Sequence, residues 1–175
     1  MKVKTEETHG ELPKDEVTVI NINWKAIIEQ ARTHHSGYDR VCFYDSIWEM
    51  STTAFDIPRE VQVIIDANDN SFISVGTPGF VSFMGQEKEL YGQTTLDNEK
   101  VKMTFPLKEW IHTHPFGKAY FSGTDLRTCA IYRNHMLRAT VLGDGERMTM
   151  MFGVGCNGED YQEYVQHTFI GDEEE

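Results

Sequence analysis

The chain has 175 residues, of which 39% are hydrophobic and 11% aromatic, enough apolar material for one globular domain with a real core. Its formal net charge of −12, from 28 acidic and 16 basic residues, argues against a general nucleic-acid binder and against docking on anionic membranes, since both need clustered lysine and arginine. Three widely spaced cysteines, Cys42, Cys129 and Cys156, form neither a CxxC pair nor a disulfide framework, so a reducing, cytoplasmic setting is expected.

In chain order, residues 1 to about 16 read as a charged leader without the apolar core of a secretory signal. VTVININ (17–23) has strand character, and WKAIIEQARTHH (24–35) has helical spacing closed by Ser36–Gly37. RVCFY (40–44) reads as a strand. Asp45 or Ser46 then caps a helix, IWEMSTTAF, with Ile47, Met50 and Ala54 on one face and Pro58 beyond its end. EVQVIID, the turn ANDN and SFISV suggest a hairpin, and FVSFM (80–84) a further strand. GQEKELYGQTTLDNE (85–99) looks like a long polar loop. VKMTF alternates, with Val101, Met103 and Phe105 sharing a face, and EWIHTH is another extended run. TDLRTCAIYRN is helical in pattern, and HMLRATVL, GDGE and RMTMMFG read as strand, turn and strand. GDEEE (171–175) is an acidic tail, and no apolar run approaches the ~20 residues that span a bilayer. The expected class is α/β (α+β), a mixed β-sheet flanked by helices.

The most chemically specific stretch is HTHPFGKAYFSGTD, His112 to Asp125. Side chains alternate along a strand, so His112 and His114 project to one face and Thr113 to the other. Two imidazoles so placed can grip one metal ion. A catalytic zinc needs three protein ligands and an open position, and Asp125 supplies the third if the chain turns back after Pro115. SGTD also fits a capping box at a helix start, and HTHP alone could simply end a strand. The combined pattern, H-x-H-P, six residues, S, two residues, D, favours the metal site. His34, His35, His135 and His167 are expected to be ordinary surface or satisfied histidines, and Met148, Met150 and Met151 core-like strand filling.

This stretch resembles the signature of the JAMM (MPN-plus) zinc metalloproteases at every fixed position, and WIHTHP and AYFSGTDLRT resemble the AMSH-type deubiquitinases of that family. The resemblance is strong from about Glu109 to Thr128, weaker from about Arg40 to Met151, and absent from the first 36 residues. It implies an MPN/JAMM-like fold with cytidine deaminase-like layering over residues 37–170, and an N-terminal extension over 1–36. It implies a zinc-dependent isopeptidase acting on ubiquitin or ubiquitin-like conjugates, with one catalytic zinc on His112, His114 and Asp125 and Ser122 as oxyanion donor. A general base is also required. In the family it is a glutamate after a helix and a proline, at the start of an apolar strand, and STTAFDIPREVQVIID puts Glu60 there. Val61, Gln62 and Val63 stand where the family often has a small pair such as Cys-Gly, and Glu49 is the competing carboxylate. Arg127 replaces the histidine that helps bind a second, structural zinc in AMSH-type enzymes, so no second zinc is expected. Glu109 stands where relatives tend to have glycine.

Two other functions share these features: a non-catalytic MPN-type scaffold, against which the retained ligands count, and a zinc hydrolase of another amide, such as a small peptide or a modified amino acid. Substrate contacts are expected from the 85–99 segment and the PFGKAYF turn.

Overall fold

The computed structural model describes residues 37–81, 83, 91–93, 100–153 and 160–166; the expected elements at 17–23 and 24–35 and the acidic tail lie outside them. The described elements are α1 (Gly37–Thr53), β1 (Val61–Ile65), β2 (Ser71–Val75), β3 (Tyr91–Gln93), β4 (Lys100–Lys102), β5 (Glu109–Thr113), α2 (Gly123–Tyr132), β6 (Arg138–Gly143), β7 (Glu146–Met151) and β8 (Tyr161–Gln166). Six strands form one sheet in the order β2-β1-β5-β6-β7-β8, and β3 pairs with β4 separately. Among the described strands only β5 and β6 run parallel, and the other strand pairings are antiparallel. A parallel pair needs a long crossover connection, and α2 with the turn before it supplies one. The fold is therefore α+β, a mixed sheet with a helix on each face.

Strand alternation divides the core in two. On one face Val61, Val63, Ile65, Val75, Ile111 and Leu142 pack against Phe43, Tyr44, Ile47, Met50 and Ala54 of and just after α1. On the other, Ile64, Phe72, Trp110, Ala139 and Val141 pack with Cys129 of α2, Met136 and Phe152. Burying each such aliphatic or aromatic side chain contributes roughly 1.5–3 kcal/mol.

Several expectations are corrected. The segment expected as a strand at 40–44 is helical, and Gly37, expected to stop a helix, opens α1. The β-branched and aromatic run Val41 to Tyr44 favours a strand locally. Phe43, Tyr44, Ile47, Met50 and Ala54 nevertheless fall on one helical face, all buried, and packing on the sheet outweighs the local preference. Asp45 and Ser46 are consequently interior helix residues, not caps; Ser46 donates to the Cys42 carbonyl one turn back at 3.1 Å. At 80–84, the described Val81 and Phe83 belong to no strand, and Phe80 makes only an isolated bridge with Thr77. Gly76 explains the tight return there, because a Cβ would lie 2.0 Å from the Phe80 carbonyl oxygen. Within the expected 85–99 loop, Tyr91–Gln93 is β3, paired with Lys100–Lys102.

The β1–β2 hairpin forms as expected around Asp66, whose buried carboxylate accepts from the backbone N–H groups of Asn68, Asn70 and Thr104 at 2.9–3.1 Å. Met103 is buried, with Val101 and Phe105 packed against the same cluster. Strand β8, whose described side chains Gln162 to Gln166 are mostly exposed, had no counterpart in the sequence pattern. No helix among the described residues is long and apolar enough to cross a membrane.

Candidate metal centre

His112 lies at the C-terminal end of β5 and His114 just beyond it, where parallel strands of a sheet open towards a following helix. Asp125 sits in the first turn of that helix. Ser122 is its N-cap: the Ser122 hydroxyl accepts from the Asp125 N–H at 3.1 Å, and Oδ2 of Asp125 accepts from the Ser122 N–H at 2.8 Å. This is the reciprocal capping box expected from SGTD. The box does more than close the helix, because it holds the Asp125 carboxylate against the histidines.

His112 Nε2 and His114 Nε2 lie 3.1 and 3.7 Å from Asp125 Oδ2, and one ligand atom from each of the three residues lies within 4.8 Å of the others. Tetrahedral coordination with bonds near ~2.1 Å separates ligand atoms by roughly 3.4 Å, so the spacing suits a single ion. The hydrogen bonding agrees. His112 is 1% exposed, and its Nε2 is turned towards the Asp125 carboxylate at 3.1 Å, on the side where an ion would sit. His114 Nδ1 faces the Lys118 carbonyl at 3.1 Å; a carbonyl only accepts, so Nδ1 carries the proton and Nε2 keeps its lone pair. These three side chains could hold a metal ion.

Electrostatics sharpen the arrangement. Burial alone would raise the Asp125 carboxyl, but the His112 imidazole and the Ser122 N–H and hydroxyl bring it to about 2, so it is a carboxylate under any ordinary condition. Burial, and then the neighbouring His112, hold His114 below its ordinary value, which keeps it neutral as a ligand must be. Burial, and then Asp125, push the Cys129 thiol up to about 12, so it is a packing residue and not a nucleophile.

Glu60 stands immediately before β1. Gln62 pairs with His112 in the antiparallel β1–β5 register, and two residues back along the same register Glu60 faces His114. Period-two alternation puts Glu60 and Gln62 on the histidine face. Glu60 is 9% exposed, and burial, then the Asp125 carboxylate, raise it from 4.5 to about 8, against the pull of the Val81 N–H. Glu49, the competing carboxylate, is exposed on α1 and away from the cleft. That cleft encloses about 420 Å³ and is lined by Glu60, Val81, His114, Tyr120, Ser122 and Asp125 among others. Phe116 and Tyr120, at its rim, are 68% and 52% exposed.

Residues outside the expected ligand and catalytic set hold this geometry. Thr113, between the two histidines, points to the opposite face, where its hydroxyl accepts from the Val61 N–H at 3.0 Å and bonds Ser51 at 2.7 Å. Ser51 in turn donates to the Arg59 carbonyl at 2.6 Å. Both residues flanking Glu60 are thereby tied to the histidine strand. Behind His112, the Trp110 ring stacks at 4.7 Å; its indole N–H donates to Gln62 Oε1 at 3.1 Å, and Gln62 donates to Ser74 at 2.7 Å. Glu109 acquires a role too. Fully buried, it accepts from Tyr44 at 2.5 Å and Thr140 at 2.7 Å, and lies 3.3 Å from the Arg138 guanidinium. Glycine would supply no carboxylate for these three donors.

Comparisons with family models, with curated proteins and with solved structures return no match for this chain.

Proposed function

We propose that the protein is a zinc-dependent isopeptidase of the JAMM (MPN-plus) type, hydrolysing isopeptide bonds in conjugates of ubiquitin or a ubiquitin-like protein. One observation carries the reading: ligand atoms of His112, His114 and Asp125 lie within 4.8 Å of one another, and His114 and Asp125 line the same open cleft as a buried carboxyl, Glu60, and a helix-capping hydroxyl, Ser122. The sheet with α1 on one face and α2 on the other is consistent with MPN-like layering, and the signature residues from His112 to Asp125 supply the family assignment. Two imidazoles and one carboxylate are a donor set that zinc accepts.

Zinc bound there would polarise both a water molecule and the scissile carbonyl. Glu60 takes the proton that water loses and returns it to the leaving amine. Burial beside the Asp125 carboxylate makes it far more proton-avid than an ordinary carboxyl, and the charge of a bound zinc would draw it back towards the ionised form that a base needs. The Ser122 oxygen accepts from Asp125 N–H, and its O–H, directed at the Asp125 carboxylate in the resting chain, would turn to donate to the oxygen on which charge develops. The exposed rings of Phe116 and Tyr120 offer apolar contact to an extended substrate tail; of the 85–99 segment, only residues 91–93 are among those described.

The test is a panel of ubiquitin-like conjugates incubated with the zinc-loaded protein, with and without phenanthroline. Cleavage that the chelator abolishes and zinc restores is expected, with Glu60→Gln retaining zinc and losing turnover. Zinc-loaded protein that cuts none of the conjugates rejects the isopeptidase assignment, and full activity in Glu60→Gln rejects Glu60 as the base.

A further inference from the structure

We propose that Glu146 is a positioning residue for the ligand His114, acting through the Lys118–Ala119 peptide; the proposal rests on the reading of His112, His114 and Asp125 as a metal site. Both ends of that one planar peptide are engaged. The Lys118 carbonyl accepts from His114 Nδ1 at 3.1 Å, and the Ala119 N–H donates to Glu146 Oε2 at 2.8 Å. The other Glu146 oxygen, Oε1, accepts from the Tyr164 hydroxyl at 2.7 Å, with the Lys118 ammonium 3.9 Å away. Hydrogen bonds therefore run without a break from the edge strand β8, through β7, to an imidazole whose Nε2 faces Asp125.

The chemistry of this row favours metal binding. Metal-bound histidines usually donate their second ring N–H to a carboxylate or a carbonyl, which fixes the ring and raises its basicity. Here a carboxylate and a carbonyl act in series. A carboxylate drawing on the amide N–H increases negative charge on the same peptide's oxygen, which strengthens the bond from His114. It also selects the Nδ1–H tautomer, the one that leaves Nε2 available.

The backbone is arranged to bring that peptide within reach. At Gly143, in the last position of β6, a Cβ would fall 2.2 Å from the Ala119 nitrogen and 2.5 Å from the Lys118 carbonyl carbon. Only glycine lets the turn after β5 lie directly on the β6–β7 hairpin. Asp144 N–H to the Gly117 carbonyl at 3.0 Å and Gly117 N–H to the His114 carbonyl at 3.1 Å hold it there. Glu146 is 3% exposed, a burial that a solvating surface carboxylate does not need. Tyr164 reaches it diagonally, from the residue paired with Met148.

The experiment compares wild type, Glu146→Ala, Glu146→Gln and Tyr164→Phe by two readouts. One is zinc affinity by competition with a chromophoric chelator; the other is the His114 tautomer in chelator-stripped protein, from two-bond ¹⁵N–¹H NMR correlations. Glu146→Ala is expected to weaken zinc binding about 10- to 100-fold and to reduce the Nδ1–H tautomer. Glu146→Gln, which keeps an oxygen acceptor without charge, should recover part of both. Tyr164→Phe removes one exposed-strand hydroxyl, leaves the fold intact and should weaken zinc about threefold. Zinc affinity within twofold of wild type in Glu146→Ala, with an unchanged tautomer, overturns the proposal; should that variant not fold, unchanged affinity in Tyr164→Phe does so. A wild-type protein that takes up no zinc sinks the reading of the metal site instead, and the tautomer then decides the relay alone.

Discussion

Replacing Glu60 by glutamine changes how stability depends on pH, and the sign follows from where the carboxyl sits. In the folded chain it titrates near 8 against an ordinary 4.5, because burial and the Asp125 carboxylate both disfavour its charge. A carboxyl raised by folding binds its proton more tightly in the native state than in the unfolded one. Below about pH 4.5 both states are protonated and Glu60 contributes no difference. As pH climbs from 4.5 towards 8, the unfolded chain ionises freely and the folded one does not, so stability falls, and above about 8 the loss is complete. At about 1.36 kcal/mol for each pH unit, the interval sets a ceiling of about 5 kcal/mol. The carboxyl lines a cleft that water reaches, and a realised loss of about 2 kcal/mol is the working figure, by the screening that lowers such interactions near a protein surface. Glutamine imitates the protonated form at every pH.

The assay is urea unfolding of chelator-stripped wild type and Glu60→Gln at intervals from pH 4.5 to 9.5, where neutral extrapolated stabilities can be subtracted. The difference should be near zero at the acid end, grow in favour of glutamine through pH 5–8 and level off above. Zinc should shrink or reverse it, since a dication beside the cleft inverts the local preference for neutral groups. A difference that stays flat across the range, or a glutamine variant less stable than wild type at pH 9, refutes the placement of a buried acidic group beside Asp125.

Three further outcomes follow from other contacts. Purified protein should carry about one zinc per chain by elemental analysis, and His114→Ala should carry almost none; iron at full occupancy in place of zinc would contradict the proposed chemistry. Thr113→Val keeps shape but strands the Val61 N–H and removes the bond to Ser51, so it should lose about 1–3 kcal/mol in urea unfolding while Thr113→Ser loses less, and equal losses would show that the hydroxyl is irrelevant. Tyr44→Phe deletes a hydrogen bond to the buried Glu109 carboxylate and should cost about 1.5–3 kcal/mol, with an unchanged unfolding midpoint counting against the network.

The candidate metal site was legible because its information is local. His112 and His114 share a strand, so alternation alone aligns them, and Asp125 is brought back by a capping box that needs only Ser122 three residues earlier. Glu60 was harder, since its place opposite His114 depends on the β1–β5 register; its position after Pro58 at the head of an apolar run marked it out. The supporting acids were not legible. Glu109 and Glu146 meet their partners only when β6, β7, α1 and β8 are assembled, and a buried carboxylate looks like a solvated one in a linear sequence. Their one visible trace was Glu109, a charge standing directly before the WIHTHP run.

The misread elements fail for a related reason. Val41 to Tyr44 and Phe80 to Phe83 are both short apolar runs, which periodicity cannot assign to strand or helix without knowing what they cover. The first is helical because its continuation through Ile47, Met50 and Ala54 matches the width of a sheet face. Of the second, Phe80 and Val81 lie against Gly76 and line the cleft, and neither belongs to a strand of the sheet. Strand β8 went unmarked because its described side chains are mostly exposed and show no alternation. Yet Tyr164 on that strand is hydrogen-bonded to Glu146, and Glu146 to the peptide that orients His114. The weakest signal in the sequence thus belongs to an element joined to the metal site, because pairing in a sheet asks little of side chains while a single hydroxyl can still reach across it.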